Sequence, residues 1–199
     1  MIIGITGGTG CGKTTALDAI RRLGGTVFDC DQIYHDLLKT DKALLKTISL
    51  RFPGTVIEGE LQRKALGAIV FSDPEALKDL NRITHHAVCE VVEGALGNFS
   101  GLAAIDAIGL FESDLARLCD ITVAITAPEE DRVTRLMARD GISEEYARMR
   151  ISAQKPQDYF REHCDYTLEN DRDAAAFSAK CLAFFRQFVI MEETTHKGE

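Results

Sequence analysis

Eight residues near the start of the chain have the types and the spacing to hold a polyphosphate. They run Gly7-Gly8-Thr9-Gly10-Cys11-Gly12-Lys13-Thr14 and match G-x-x-x-x-G-K-[ST], the pattern of the phosphate-binding P-loop. Glycines let the backbone turn so that successive N–H groups face the phosphates. Lys13 is expected to reach the β- and γ-phosphates, and the Thr14 hydroxyl is expected to bind Mg²⁺. The motif predicts a nucleoside triphosphate site without saying how the nucleotide is used.

The segments on either side of this loop are those that a P-loop requires. Ile2, Ile3 and Ile5 predict a buried strand before it, and residues 16–20 predict a helix after it. The helix N-terminus adds unpaired N–H groups and a partial positive charge. The residues predicted to surround the nucleotide are Gly8, Thr9, Gly10, Cys11, Gly12, Lys13, Thr14 and Thr15.

Two carboxylates follow the second predicted strand, Thr26-Val27-Phe28. Asp29 and Asp31 are two residues apart, so a continued strand would place both on one face. Beside a P-loop, such a carboxylate can accept a proton from an attacking hydroxyl or hold Mg²⁺ through water. Asp31 also precedes a helical pattern and could serve as its N-cap. The residues alone leave both roles of Asp31 open.

A segment rich in arginine predicts a pair of helices that closes over a triphosphate. Its arginines are Arg132, Arg135, Arg139, Arg148 and Arg150. The first three recur at i, i+3 and i+7, on one helical face, and Ser143 can cap a second helix after the break at Gly141. Arginine forks match phosphate oxygens and offset charge during transfer. The alternative is a solvated helix pair whose arginines pair with neighbouring carboxylates.

Apolar runs at 102–106, 121–125 and 166–168 complete a set of five predicted strands separated by helical patterns. This alternation predicts an α/β fold of three layers, with a parallel five-stranded sheet between helices. Ligands of such sheets bind beyond the carboxyl ends of the strands, where the P-loop, Asp29, Asp31 and Asp106 fall. Residues 33–100 have little strand character and predict a helical insertion.

We therefore expect one domain over 1–199 with three functional parts. The predicted core covers about 1–32, 101–128 and 156–191, the insertion 33–100 and the lid 129–155, with a disordered tail at 192–199. The formal charge of −8 argues against a general nucleic-acid binder. No apolar run is long enough for a membrane span, and the opening residues lack a signal peptide's basic region, so a cytoplasmic location is expected.

The six cysteines lack the paired spacing of a zinc site and are expected to be reduced thiols. Cys11 is the exception to consider, because Lys13 and a helix N-terminus both favour a thiolate there. The alternative for Cys11 is a small residue at a tolerant position of the loop.

Taken in series, these motifs resemble the dephospho-coenzyme A kinase family over nearly the whole chain. Besides the P-loop, the resemblance rests on Asp29-Cys30-Asp31, Leu61-Gln62-Arg63, Val70-Phe71, Leu80-Asn81-Arg82-Ile83-Thr84-His85, Leu110-Phe111-Glu112 and Glu169-Asn170-Asp171. It implies a P-loop kinase fold with an acceptor-binding insertion, and transfer from ATP, with Mg²⁺, to the ribose 3′-hydroxyl of dephospho-coenzyme A.

The resemblance also implies roles for single residues. Asp31 would be the general base, with Asp29 the second choice. Lys13 and the lid residues Arg139, Arg148 and Arg150 would act on the phosphates. The acceptor would lie among Asp29, Arg63, His85 and Glu112, and Asn170 would approach the adenine of ATP.

Two other functions remain open on the sequence. One is a kinase of the same fold for a different small acceptor, such as a nucleoside, a nucleotide or a small polyol. The other is a nucleotide-dependent switch, which would require a partner surface rather than an acceptor pocket and would gain nothing from an arginine lid.

Overall fold

Five parallel strands in a single sheet form the centre of the computed structural model. The strands are β1 Ile2–Thr6, β2 Thr26–Asp29, β5 Ala103–Asp106, β6 Ile121–Thr126 and β7 Tyr166–Glu169, which confirms all five predicted strands. They lie in the order β2-β5-β1-β6-β7. The structure describes residues 1–171 and 173–195, the last six as helical backbone only. Parallel neighbours with connecting helices place every carboxyl end along one edge of the sheet.

The remaining elements are helices and one short hairpin. The helices are α1 Lys13–Arg22, α2 Cys30–Thr40, α3 Lys42–Arg51, α4 Arg63–Val70, α5 Pro74–Leu96, α6 Glu129–Asp140, α7 Glu144–Ser152, α8 Gln157–His163 and α9 Ala174–Thr195, with a 3-10 turn at Leu115–Leu118. The hairpin pairs β3 Val56–Ile57 with β4 Glu60–Leu61. Within the described residues, no helix is both long and apolar enough to cross a membrane.

The chain forms two compact units. The first comprises Met1–Phe28, Ser100–Leu110 and the chain from Ala116 onward, and the second comprises Asp29–Phe99 and Phe111–Leu115. The predicted assignment of functions to a core, an insertion and a lid stays a prediction. Helix α9 continues to Thr195, within the predicted tail, and residues 196–199 lie outside the described part of the chain.

The first unit buries its sheet between helices. Ile3 and Ile5 of β1 are fully buried, as expected for a central parallel strand, and they belong to one apolar cluster with Ile20 of α1 and Phe177 and Phe185 of α9. This packing fixes the strand before the P-loop and the helix after it. The loop between them therefore has fixed ends.

The second unit is mostly helical, as predicted for residues 33–100. Its core joins α2, α3, α4 and α5 through Leu38, Ile48, Leu66 and Leu80. The β3–β4 hairpin was not predicted. Glu58 and Gly59 form its two-residue turn with φ of 52° and 83°, a turn that twists with the strands, but two-residue strands give no periodic signal.

The arginine-rich segment forms two helices, which confirms the predicted helix–break–helix. Helix α6 ends at Gly141 with φ of 65°, and Ser143 caps α7 by accepting a hydrogen bond from the N–H of Tyr146. Val133 and Leu136 of α6 pack against α7. The two helices therefore form one packed pair.

Candidate functional site

The P-loop has a backbone that only glycine can form at several positions. Gly7, Gly10 and Gly12 have φ of 140°, 77° and 103°. A Cβ at Gly7 would collide with the carbonyl oxygen of Ile125, and a Cβ at Gly12 with the side-chain amide of Asn170. These glycines are therefore required by conformation and by close approach, before any ligand is considered.

Side chains from α6 and from the segment just after α7 form hydrogen bonds to the backbone of the loop. Gln154 Oε1 accepts a hydrogen bond from Thr9 N at 2.7 Å, and Arg132 Nε donates to Thr9 O at 2.9 Å. Arg135 donates to Gly10 O at 3.3 Å. The two arginines occupy loop carbonyls, which leaves N–H groups of the loop for a phosphate, whereas the N–H of Thr9 is taken by Gln154.

Arg132 lies against the glycines of the loop. Its side chain is buried, with 3% of its surface exposed, and one terminal nitrogen has no hydrogen-bond partner. A Cβ at Gly8 would lie 2.5 Å from that nitrogen, and a Cβ at Gly10 would lie 2.9 Å from the Arg132 carbonyl oxygen. Burial lowers the pKa of Arg132 from its usual value. Gly8 and Gly10 therefore leave room for Arg132.

Arg132, Arg135 and Arg139 do not share one environment, and their predicted common role over the triphosphate stays a prediction. Arg132 and Arg135 bind loop carbonyls, whereas Arg139 pairs with Asp140. The reason is their position along the helix, since the first turns of α6 lie against the loop and its last turn does not. Equal spacing on one helical face does not imply equal neighbours.

Asn170 follows β7 and completes the contacts of the loop. Its buried amide donates to the carbonyl oxygen of Cys11 at 3.0 Å, and its own N–H donates to Thr126 O at 2.8 Å. The structure thus places Asn170 against the P-loop backbone. Its predicted approach to the adenine of ATP stays a prediction.

Lys13 and Thr14 form the first turn of α1. Lys13 Nζ donates to the carbonyl oxygen of Gly7 at 3.1 Å, so the ammonium group lies over the loop. Thr14 is exposed, and Thr15 N bonds to Gly12 O at 3.0 Å as the helix begins. A helix N-terminus that carries a lysine over a glycine loop is an anion-binding arrangement.

Of the two interpretations of Cys11, the structure favours the small residue over the thiolate. The side chain is buried, and burial raises its pKa above the ordinary value although Lys13 and Arg132 act in the opposite direction. Desolvation outweighs the nearby positive charges because the sulfur lies inside the loop. Cys11 therefore behaves as a small apolar residue.

The other lid arginines pair with carboxylates. Asp140 accepts from Arg139 Nε at 2.7 Å and from Arg150 at 2.6 Å, and these two hydrogen bonds lower the pKa of Asp140 to about 2. Arg148 bonds to Glu130 at 2.7 Å and to Glu144 at 2.9 Å, which raises the pKa of Arg148 further. The salt-bridge alternative thus describes these contacts, and phosphate binding would require each arginine to exchange its partner.

In the second unit, Asp29 rather than Asp31 caps the helix. Asp29 Oδ1 accepts from Gln32 N at 2.9 Å, so the predicted capping role of Asp31 is wrong. The predicted placement of both carboxylates on one strand face is also wrong, because α2 begins at Cys30. Asp31 is exposed in the first helical turn, and no bond to its carboxylate is found in the described part of the chain.

The other predicted acceptor residues also lie in the second unit. His85 of α5 bonds through Nδ1 to the carbonyl oxygen of Glu112 at 3.2 Å, which brings these two predicted residues together. Arg63 begins α4 and lines a cavity with Tyr34 and His35 of α2.

Sequence reasoning missed the roles of two residues. Arg132 and Gln154 hold the loop. A buried arginine has no local sequence signal. Asp106, in contrast, lies where the sequence predicted it, at the carboxyl end of β5, in register with Ile5 on the strand that leads into the loop.

The comparisons with known proteins agree with one another. The dephospho-CoA kinase family model matches residues 1–176. A dephospho-CoA kinase of Syntrophotalea carbinolica is 36% identical over 177 residues, covering 86% of this chain and 84% of that protein. A crystal structure from Thermus thermophilus has a TM-score of 0.77 at 33% identity and covers 94% of this chain and 97% of its own.

The second solved structure is a dephospho-CoA kinase from Campylobacter jejuni, with a TM-score of 0.70 at 25% identity. It covers 96% of this chain and 98% of that chain. Together with the observed sheet, these similarities confirm the predicted P-loop kinase fold.

Proposed function

The chain belongs to the dephospho-CoA kinase family and is an ATP-dependent kinase of coenzyme A synthesis, and we propose that it phosphorylates the ribose 3′-hydroxyl of dephospho-coenzyme A with Asp31 as general base. The match over residues 1–176 carries this proposal, because it spans both the P-loop and the helical second unit.

The P-loop binds the phosphate donor, ATP. N–H groups of the P-loop that are not already bonded within the protein bind the β- and γ-phosphates, and Lys13 adds a positive charge where negative charge increases during transfer. The outward bonds of Thr9 and Cys11 support this role, because they hold the loop open before nucleotide arrives. Such preorganisation avoids a reorganisation cost in the transition state.

The acceptor half begins with proton removal. The Asp31 carboxylate accepts the proton of the 3′-hydroxyl while that oxygen attacks the γ-phosphorus, and ADP leaves on the opposite side. Two observations support Asp31. Asp29 already performs the capping, and Asp31 stands exposed at the helix start. Asp29, Arg63, His85 and Glu112 then surround the acceptor.

The lid arginines act on the phosphates. Arg139 and Arg150 leave Asp140 for phosphate oxygens, and Arg148 leaves its glutamates. A triphosphate carries more charge than a single carboxylate, which favours the exchange. Asn170 joins the nucleotide site through its contact with the loop.

The donor set fits Mg²⁺ with hard oxygen ligands. Thr14 supplies an exposed hydroxyl and Asp106 a carboxylate at the end of β5, both in the first unit. When bound, the ion neutralises charge on the phosphate oxygens. We place the enzyme in the cytoplasm, where ATP and the acceptor are made available, and we propose neither nucleic acid nor membrane as a partner.

An acceptor panel tests this function. The protein is incubated with Mg-ATP and dephospho-coenzyme A, a nucleoside, a small polyol or water alone, and ADP is measured. ADP is expected only with dephospho-coenzyme A, and the product should resist periodate because its ribose no longer has a free vicinal diol. Equal ADP release in water alone would contradict the proposal. A product that periodate still cleaves would show that the phosphoryl group went to a hydroxyl outside the ribose diol.

A further inference from the structure

The side chain of Asn170 is buried against the backbone of the P-loop. Only 5% of the residue's surface is exposed, and its Nδ2 donates to the carbonyl oxygen of Cys11 at 3.0 Å. We propose that Asn170 is a positioning residue, which binds the Cys11 carbonyl and thereby directs the N–H of Gly12 towards the phosphates of the nucleotide. This inference rests on the proposed function, and it gives Asn170 a role other than the contact with adenine that the family resemblance implies.

Strand pairing and packing hold Asn170 in place. Glu169 at the end of β7 is in register with Thr126 of β6, and the N–H of Asn170 donates to the carbonyl oxygen of Thr126 at 2.8 Å. A Cβ at Gly12 would collide with Asn170 Nδ2 and would lie 3.4 Å from the ring of Phe177 on α9. The amide of Asn170 therefore has little freedom to move relative to the loop.

The bond to Cys11 determines the direction of the next N–H group. The peptide bond between Cys11 and Gly12 is trans, so its C=O and N–H groups point in opposite directions. Because Asn170 binds the C=O group, the N–H of Gly12 points away from Asn170, and it has no acceptor among residues 1–171 and 173–195. An N–H group with a fixed direction and no acceptor in the protein is suited to bind a phosphate oxygen.

The same relationship occurs two peptide groups earlier in the loop. Arg132 donates to the carbonyl oxygen of Thr9, and the N–H of Gly10, in the same trans peptide group, also has no acceptor within the described part of the chain. Two N–H groups of the loop are thus directed by side chains that are distant in sequence. Asn170 directs the one that immediately precedes Lys13.

The second polar atom of the Asn170 amide argues against direct recognition of a base. Oδ1 is buried and has no hydrogen-bond partner within the residues that the structure describes. A base could bond to this amide only if the side chain moved away from the loop. That movement would leave the buried carbonyl of Cys11 without its donor, which is unfavourable. Asn170 therefore affects the binding of every polyphosphate, with or without a base.

Inorganic tripolyphosphate, which carries no base, tests this role. Asn170→Ala and Asn170→Asp each remove the amide donor, so isothermal titration should show weaker binding of tripolyphosphate and of ATP by the same factor. We expect about 5- to 100-fold, as for a buried carbonyl that loses its donor. The KM for dephospho-coenzyme A should be unchanged, and circular dichroism checks that each variant is folded.

Thr126→Val is the matched control. Thr126 is fully buried beside Asn170, and its hydroxyl has no hydrogen-bond partner in the described ranges. Valine has nearly the same shape and keeps the backbone carbonyl that accepts from Asn170. Thr126→Val should therefore leave the dissociation constants of tripolyphosphate and ATP unchanged.

NMR measures the Gly12 N–H group directly. Cys11-Gly12 is the single Cys-Gly pair in the sequence, so a sample with ¹³C-carbonyl cysteine and ¹⁵N-glycine gives one signal in an HNCO spectrum. Saturating tripolyphosphate should shift the Gly12 amide proton downfield in the wild type and in Thr126→Val, as expected for a hydrogen bond to an anion. The shift should be smaller in both Asn170 variants. A residue that only stabilised the fold would not change this signal selectively.

Three results would overturn the positioning role. They are weaker binding of ATP with unchanged binding of tripolyphosphate, which would assign Asn170 to the base, a Gly12 shift in the Asn170 variants equal to that of the wild type, and no downfield shift in the wild type itself. A wild type that binds neither ligand would contradict the proposed function and this inference with it. Binding of both ligands without phosphoryl transfer to dephospho-coenzyme A would contradict the proposed function alone.

Discussion

Arg132 Nε donates a hydrogen bond at 2.9 Å to the carbonyl oxygen of Thr9, a residue 123 positions earlier in the chain. The contact joins the first turn of α6 to the P-loop and gives that carbonyl a charged donor. A change in α6 is thereby transmitted to the loop that binds the phosphates.

Replacing Arg132 should weaken the donor site selectively. Arg132→Ala leaves a partly buried carbonyl of Thr9 without its charged donor, a loss of about 1.5–3 kcal/mol or about 10- to 100-fold. We expect the KM for ATP to rise by that factor while the KM for dephospho-coenzyme A is unchanged. Arg21→Ala, which removes an exposed arginine paired with Asp18, is the control and should change neither constant. Equal rises for both substrates would contradict a role confined to the loop.

Gly8→Ala should impair the protein because of Arg132. Gly8 has an ordinary φ, so the cost is the collision of the new Cβ with the Arg132 guanidinium at 2.5 Å. The effects on ATP binding should therefore be non-additive, and Gly8→Ala should cost less in the Arg132→Ala background than in the wild type. Isothermal titration with ATP measures this double-mutant cycle. Strict additivity would show that Gly8 is required for another reason.

Asp31 and Asp29 form a matched pair of carboxylates with different expected effects. Asp31→Asn should reduce turnover by roughly two to four orders of magnitude and preserve ATP binding, because it removes the base and no capping bond. Asp29→Ala removes the cap of α2 and should lower the free energy of unfolding by about 1 kcal/mol. Steady-state rates and urea unfolding separate the two. Near-normal turnover of Asp31→Asn would exclude it as the base.

The pairs of Asp140 should make part of the stability depend on pH. Arg139 and Arg150 hold the pKa of Asp140 near 2, below its value of about 4 in the unfolded chain. The contribution of Asp140 is therefore present above about pH 5 and is lost as the pH falls towards 2. The difference in unfolding free energy between wild type and Asp140→Asn should follow that course in urea titrations. A difference in unfolding free energy that increases as the pH falls would contradict this stabilising role of Asp140.

Cys11 should be unreactive in the native protein. Its buried sulfur has a raised pKa, so at pH 8 little thiolate forms and reagents cannot reach it. Iodoacetamide should label Cys11 only after unfolding, as measured by mass spectrometry of the digested chain. Cys11→Ala should retain turnover. Rapid native labelling that ATP prevents would restore the thiolate interpretation.

The sequence by itself determined the parts of this protein that depend on local pattern. The P-loop, its strand and its helix, the five strands and the helix–break–helix each have their signal within a few turns of chain. Gly141 and Ser143 are examples, because the left-handed residue and the cap act on their immediate neighbours. The short hairpin at Glu58-Gly59 was not predicted, because its strands are too short to show an alternation of apolar and polar residues.

Only the tertiary structure decided which side chains meet. Arg132 and Arg139 share a helical face, yet one is buried against Thr9 and the other pairs with Asp140. Asn170 reaches Cys11 across 159 residues. Such contacts depend on the order of the strands and on the rotation of each helix about its axis, which residue spacing does not encode. The physical reason is that packing energy is a property of all the neighbours together, whereas a motif describes only one stretch of chain.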